Sequence, residues 1–153
     1  MTNEDNTTVS SERDAATALV DSWLALWNGD YDIADTIISE SNRVHAAMLD
    51  GGDGSAVAGV SGMKEFVGQT RSISSDLVFS IDVGPLVDGD HVVVRWIATG
   101  HYGGGLPGAG APVGAEVTIS GTDILRVSSN QIVEYWLNAD TLALMTQLQV
   151  GGG

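Results

Sequence analysis

The chain has no cysteine, a single lysine (Lys64) and no run of 18 apolar residues. The first absence excludes disulfides, thiolate nucleophiles and thiolate metal ligands. The last leaves no segment suited to cross a bilayer as a helix. The opening MTNEDNTTVSSERD also lacks the basic start and apolar stretch of a secretory signal, so a cytoplasmic protein is expected. Scarce lysine unbalances the charge: six basic residues face 20 acids, for a formal net charge of −14. Nucleic acid and anionic membrane both require cationic patches, and neither is expected as a partner. Such a carboxylate-rich, lysine-poor surface suits a salt-rich cytosol, where self-repulsion is screened, and suits an ordinary acidic protein equally.

Catalytic motifs are also missing. There is no G-x-S-x-G nucleophile elbow. His45, His91 and His101 stand apart, with no H-x-x-x-H or H-x-H spacing, so no metal is expected. Gly103, Gly105 and Gly108 fit G-x-G-x-x-G literally, but Pro107 lies inside the motif and a strand follows it. With no helix N-terminus to hold a pyrophosphate, nucleotide binding is not expected.

What is present is enough for one core: 153 residues, 43% of them hydrophobic. A loose tail is expected over residues 1–9, one domain over 10–150 and a loose end over 151–153. Leu19, Val20, Trp23, Leu24 and Trp27 recur at helical spacing, with Ser11 as N-cap and Asn28-Gly29 as the stop. Ile33, Ala34, Ile37 and Ile38 predict a second short helix, RVHAAML a short strand carrying His45, and SGMKEFVGQTRS a third helix. From Asp76 the pattern turns to β. DLVFSIDVGPLV and HVVVRWIATGHY join through DGD, and AEVTISGTDILRV and QIVEYWLN join through SSN. Between the two hairpins, GGGLPGAGAPVG predicts a flexible surface loop able to act as a lid at a pocket rim. Asp140 is a good N-cap for a last helix carrying Leu142, Leu144, Met145 and Leu148. Helices first and antiparallel strands after them predict an α+β fold. HVVVRWIA is apolar on both faces, which predicts a homodimer through the open side of the sheet.

One acid stands out among the 20. Strand alternation puts Val117, Ile119, Gly121, Asp123, Leu125 and Val127 on one face. A carboxylate on an apolar face must be paired, be protonated or border a cavity. Burial raises its pKa and tunes it for general acid/base work. The alternative is a strand-end residue that a bulge turns to solvent.

At this hairpin the sequence resembles a known family. WIATGHYGG, then G.DILRV, a short turn and QIVEYW...D.L.L..QL are similar to the SnoaL-like polyketide cyclases, within the nuclear transport factor two-like superfamily. TALVDSWLALWNGDYDIADTIIS and RVH look like that family's opening helices and first strand. The resemblance implies a cone-shaped α+β fold, with a curved antiparallel sheet wrapped on N-terminal helices around a deep apolar pocket. It also implies homo-oligomers and neither metal nor organic cofactor. In the aldol-type cyclases the acid/base Asp falls at the position of Leu137, and a His partner at that of Asp123. The ionisable group is thus shifted across the hairpin. A three-residue loop, Ser129 to Gln131, sets Asp123 opposite Leu137, whereas a two-residue turn sets it opposite Trp136. The expectation is a cofactor-free cyclase or isomerase of an apolar, oxygenated, natural-product-like molecule. Asp123 moves the proton, and His45, His101 or Tyr102 polarises the reacting oxygen. Trp23, Trp27, Met48, Trp96, Tyr135 and Leu137 form the wall. Epoxide opening and non-catalytic binding of an apolar ligand stand as alternatives, the second favoured by Leu137.

Overall fold

The computed structural model describes residues 3–48 and 50–151, so of the loose ends expected at 1–9 and 151–153 residues 1–2 and 152–153 lie outside it, while 3–9 belong to a helix instead of a loose tail. Helix α1 (Asn3–Trp27) is longer than the sequence predicts: it runs through Ser11, which sits inside the helix instead of capping it. The buried stripe is Ala16, Val20, Trp23, Leu26 and Trp27, with Leu19 and Leu24 half-buried beside it. Two polar side chains then lock the end of α1 to the sheet. Asn28 Nδ2 donates to Phe79 O at 3.2 Å while Phe79 N–H donates to Asn28 Oδ1 at 2.8 Å. Arg71 donates to the orphan carbonyl of Trp27 at 3.0 Å. Gly29, at φ +109°, makes the left-handed turn that follows.

A 3-10 turn (Tyr31–Ile33) and the one-turn helix α2 (Ala34–Ile37) lead into strand β1 (Ile38–Ala46). Helix α3 (Gly59–Ile73) buries Val60, Met63 and Val67 at helical spacing. Strands β2 (Val78–Asp88), β3 (His91–His101), β4 (Glu116–Ser128) and β5 (Gln131–Ala139) form the two predicted hairpins, and α4 (Thr141–Gln147) closes the chain. Asp140 caps α4, accepting from Ala143 N–H at 3.1 Å.

The five strands form one sheet in the order β1-β5-β4-β3-β2, curved and unclosed. One pairing differs from the antiparallel expectation: β1 runs parallel to β5. The cause is topological. The chain leaves β1 through α3 and returns beside it only after the β2–β3–β4 meander, arriving in the same direction. The helices cover the inner face, and the core lies between α1, α3 and that face.

The glycine-rich segment after β3 is not an open loop. Tyr102 is buried with Ala111, Val117 and Leu148 in a small second core. Leu106 N–H donates to the Tyr102 hydroxyl at 2.9 Å, and Gly110 and Ala111 donate to Leu148 O at 3.0 and 3.1 Å. Ala109 also bridges Val150. A few apolar side chains pin the segment to the end of α4 despite its glycines.

Candidate active site

The β4–β5 hairpin decides where Asp123 faces. Its turn is two residues, Ser129 and Asn130, at φ 52° and 62°, as a tight hairpin with two left-handed central residues requires. Ser128 pairs with Gln131 and Val127 with Ile132, but Arg126 then pairs with Glu134. Val133 is the extra residue of a bulge. It shifts the register by one, so Asp123 lies opposite Leu137 instead of Trp136. It also lets Ile132 and Tyr135, three apart, both bury on the inner face. The sequence expectation linked Leu137 to a three-residue loop; the structure reaches the same pairing by a two-residue turn plus a bulge.

The inner face holds a cavity of about 360 Å³, within the range of small-molecule sites. Trp23 and Trp27 of α1, Phe66 of α3, Phe79 of β2, Trp96 of β3 and Tyr135 of β5 give it aromatic walls. Met48 and Leu137 also line it. Asp50, Gln69 and Asn138 are exposed lining residues and mark its mouth.

Asp123 is only 2% exposed and lines this cavity. Three neutral donors hold it. Trp23 Nε1–H donates to Oδ2 at 2.9 Å, Trp96 Nε1–H to Oδ1 at 3.0 Å, and the Tyr135 hydroxyl to Oδ1 at 3.2 Å. Burial pushes its pKa up to about 6, and the three hydrogen bonds oppose that rise without cancelling it. Burial, and then the neighbouring carboxylate, push the Tyr135 hydroxyl well above the ordinary phenol value, so it remains a protonated donor. Gly121 makes the Trp96 contact possible. Trp96 pairs with Gly121 across β3 and β4, and a Cβ there would run into Trp96 Cζ2 and lie 2.7 Å from Cε2. The indole therefore lies over bare backbone, with its N–H reaching Asp123 two residues along.

The other predicted partners are elsewhere. His45 is on the outer face of the sheet, 2.7 Å from Glu134 and stacked on Trp136. Parallel pairing of β1 with β5 sets it beside Trp136, not beside Asp123. His101 ends β3 at the surface, with Nδ1 2.7 Å from Asp76 Oδ2. The imidazole and the backbone N–H of His101 hold Asp76 down to about 2, and the Asp76 carboxylate raises His101 in return. Tyr102 belongs to the second core, and no residue of the 103–111 segment lines the cavity. The lid placement expected of that segment is therefore not found.

Sequence reasoning missed Phe66 and Phe79 as walls. Phe66 was within reach of it, falling between Met63 and Val67 at helical spacing. Nothing in the pattern marked Trp23 and Trp96 as donors instead of plain wall. Trp27 Nε1 is buried with no hydrogen-bond partner among the described residues.

The model of the SnoaL-like polyketide cyclase family matches residues 14–148. No curated protein matches the chain. Among solved structures, a putative polyketide cyclase from Acidithiobacillus ferrooxidans is similar at 25% identity and a TM-score of 0.76, over 88% of this chain and 94% of that one. TsrD from Streptomyces laurentii is similar at 26% identity and 0.72, over 89% and 96%. A Bacillus cereus putative polyketide cyclase, at 23% identity and 0.72 over 89% and 81%, shares the fold.

Proposed function

The chain belongs to the SnoaL-like polyketide cyclase family, and on that premise we propose that it is a cyclase or isomerase in which Asp123 carries a proton between positions of a natural-product-like substrate. The observation that carries this reading is one ionisable carboxylate, buried in an aromatic cavity and raised to about 6. A general base works best with a pKa near the operating pH. At neutral pH Asp123 is mostly ionised and ready to accept a proton, yet weak enough as a base to return it.

The two oxygens are not equivalent. Oδ1 accepts from Trp96 and Tyr135, whereas Oδ2 accepts only from Trp23. A carboxylate oxygen has two acceptor positions, so Oδ2 keeps one open. It takes the substrate proton as the C–H bond breaks, and gives it back to carbon or oxygen once the new bond has formed. Asp123 faces Leu137, the position of the acid/base Asp in the aldol-type cyclases, so the carboxylate enters the same cavity from the neighbouring strand. With His45, His101 and Tyr102 away from the cavity, the side-chain amides of Gln69 and Asn138 are lining donors that can meet a substrate oxygen.

The test is turnover of a panel of polyketide esters and epoxides by the wild type and by Asp123→Asn. Ring closure or isomerisation that falls by on the order of 10² to 10⁴ in the variant supports the reading. Epoxide hydrolysis in its place supports the epoxide-opening alternative. Binding without turnover, or turnover untouched by the substitution, overturns it.

A further inference from the structure

The charge lining the cavity has one sign. Among its lining residues Asp123 and Asp50 carry charge at neutral pH, and no Lys, Arg or His is present. Arg71, on α3, is committed elsewhere: its guanidinium donates to the carbonyls of Trp27, Leu77 and Ser75 at 3.0, 2.6 and 2.8 Å. The Asp123 charge is therefore solvated by two indoles and a phenol, with no cation to balance it. Buried charges in proteins are ordinarily paired, and here the protein supplies no partner.

The walls complement that missing charge. The chain has nine aromatic residues, counted as four Trp, three Tyr and two Phe, and six of them line this one cavity. The faces of aromatic rings attract cations, most strongly when the cation is desolvated, and quaternary ammonium groups are recognised in such cages. Asp50 stands exposed at the mouth, and the net charge of −14 raises the concentration of cations around the whole molecule. Mouth, wall and floor all favour the same sign.

We propose that the cavity takes a substrate whose apolar body carries a positive nitrogen, such as an iminium or a substituted ammonium. This rests on the acid/base reading above only in using the same carboxylate, and it names the charge of the substrate that reading leaves open. It also removes a difficulty. Proton loss from a neutral carbon acid to Asp123 leaves an anion, in a cavity whose lining holds no cation to balance it. Proton loss from the carbon next to an iminium ends in neutral species. The C–H pair forms the enamine double bond, the C=N pair moves to nitrogen, and the proton goes to Asp123 Oδ2. Both charges cancel inside a poorly solvated site, where opposite charges and their loss weigh most.

The experiment is calorimetric titration of the folded full chain with three probes of one shape. They are choline as the cation, 3,3-dimethylbutan-1-ol as its neutral isostere and 3,3-dimethylbutanoate as the anion. In the wild type, choline is expected to bind at least tenfold tighter than the alcohol, and the anion weakest of all. In Asp123→Asn the advantage of choline over the alcohol should shrink several-fold, while the alcohol itself is little changed. Equal affinity for choline and the alcohol in the wild type, or tighter binding of the anion, overturns the proposal without any recourse to the variant. The measurement needs no turnover, so the two readings fail separately. Asp123-dependent turnover of neutral substrates with no preference for choline sinks this inference alone. A clear preference for choline with no turnover of any substrate sinks the acid/base reading alone.

Discussion

Asp123 and Glu134 are carboxylates on neighbouring strands of one sheet, and its two faces drive them in opposite directions. Asp123, on the inner face, is met by neutral donors and raised to about 6 by burial. Glu134, on the outer face, accepts from Arg126 Nε at 3.0 Å and lies 2.7 Å from His45 Nε2. The hydrogen bond from His45 is the main cause holding it below the ordinary carboxylate value, with Arg126 adding to it. The same contrast runs along the sheet. On the outer face Arg95 meets Asp82 at 3.2 Å and His91 meets Asp90 at 2.8 Å. Outside, each of these acids has a basic partner and water to share the cost. Inside, one acid has neither, and a group kept in that state is the better candidate for work.

The sharpest way to break the comparison is to remove the inner acid. Asp123→Asn keeps the side-chain shape but cannot cycle a proton, so turnover should fall by on the order of 10² to 10⁴, read as kcat/KM on whatever substrate the panel yields. Leu137→Asp in that background returns a carboxylate to the facing position in the same cavity. Partial recovery of rate is expected. No recovery would show that the cage of Trp23, Trp96 and Tyr135, built around residue 123, is required as well.

Stability against pH separates the two acids next. Asp123 has a higher pKa folded than its ordinary 3.8, so between about 4 and 6 the folded state holds a proton that the unfolded chain has lost. The stability it contributes is thus full below about 4, falls as pH rises to about 6 and is flat above that. The distance from 3.8 to about 6 is worth about 3 kcal/mol. Paired acids such as Asp76 and Glu134 act in the opposite direction, losing their contribution as pH falls. The difference between wild type and Asp123→Asn isolates the buried group. Relative to wild type, the variant should gain up to about 3 kcal/mol between pH 4 and pH 7.5 in urea unfolding. Its offset at any one pH is set by the donors an amide cannot satisfy, since the substituted side chain turns an N–H toward an indole N–H. A pH-independent difference would mean that Asp123 titrates as an ordinary carboxylate.

Gly121→Ala acts on the contact that aims Trp96. The added Cβ meets the indole and Asn138 O at 2.8 Å, and overpacking of this kind costs about 1 to 3 kcal/mol. Displacing the indole also removes one donor from Oδ1, so the pKa of Asp123 should rise further. A loss of melting temperature with an unchanged pH–rate profile would show that Trp96 is only wall.

How much of this was legible depended on range. The helices and both hairpins follow from local periodicity and turn residues, and Asp123 was visible because it broke an apolar alternation. The register was not legible, since the bulge at Val133 leaves no mark in composition; it serves to bury both Ile132 and Tyr135. Nor was the parallel β1–β5 pairing, which follows from a connection spanning most of the chain. That pairing carried His45 to the outer face. The glycine-rich segment misled for a related reason: its composition predicts freedom, whereas Tyr102, Ala111 and Leu148 pin it through contacts distant in sequence.

The smallest expected effect is on the outer face. Glu134→Gln removes the charge that His45 and Arg126 share but leaves an acceptor in place. Half of the His45 side chain is exposed, at 47%, and pairs of this kind contribute between about 0.2 and 1 kcal/mol, less in salt. The folded Glu134 has a pKa below its ordinary value, so its contribution is present at neutral pH and lost as pH falls through that lowered value. Glu134→Gln should therefore lower the melting temperature by a few degrees at most at pH 7 in dilute buffer. The loss should shrink in molar salt and vanish in strong acid. Turnover should not change, because neither residue lines the cavity. His45→Ala should behave alike, apart from its lost stacking on Trp136. A hundredfold fall in rate from either substitution would mean that the outer face reaches the chemistry. Asp123 would then no longer be the sole acid to explain.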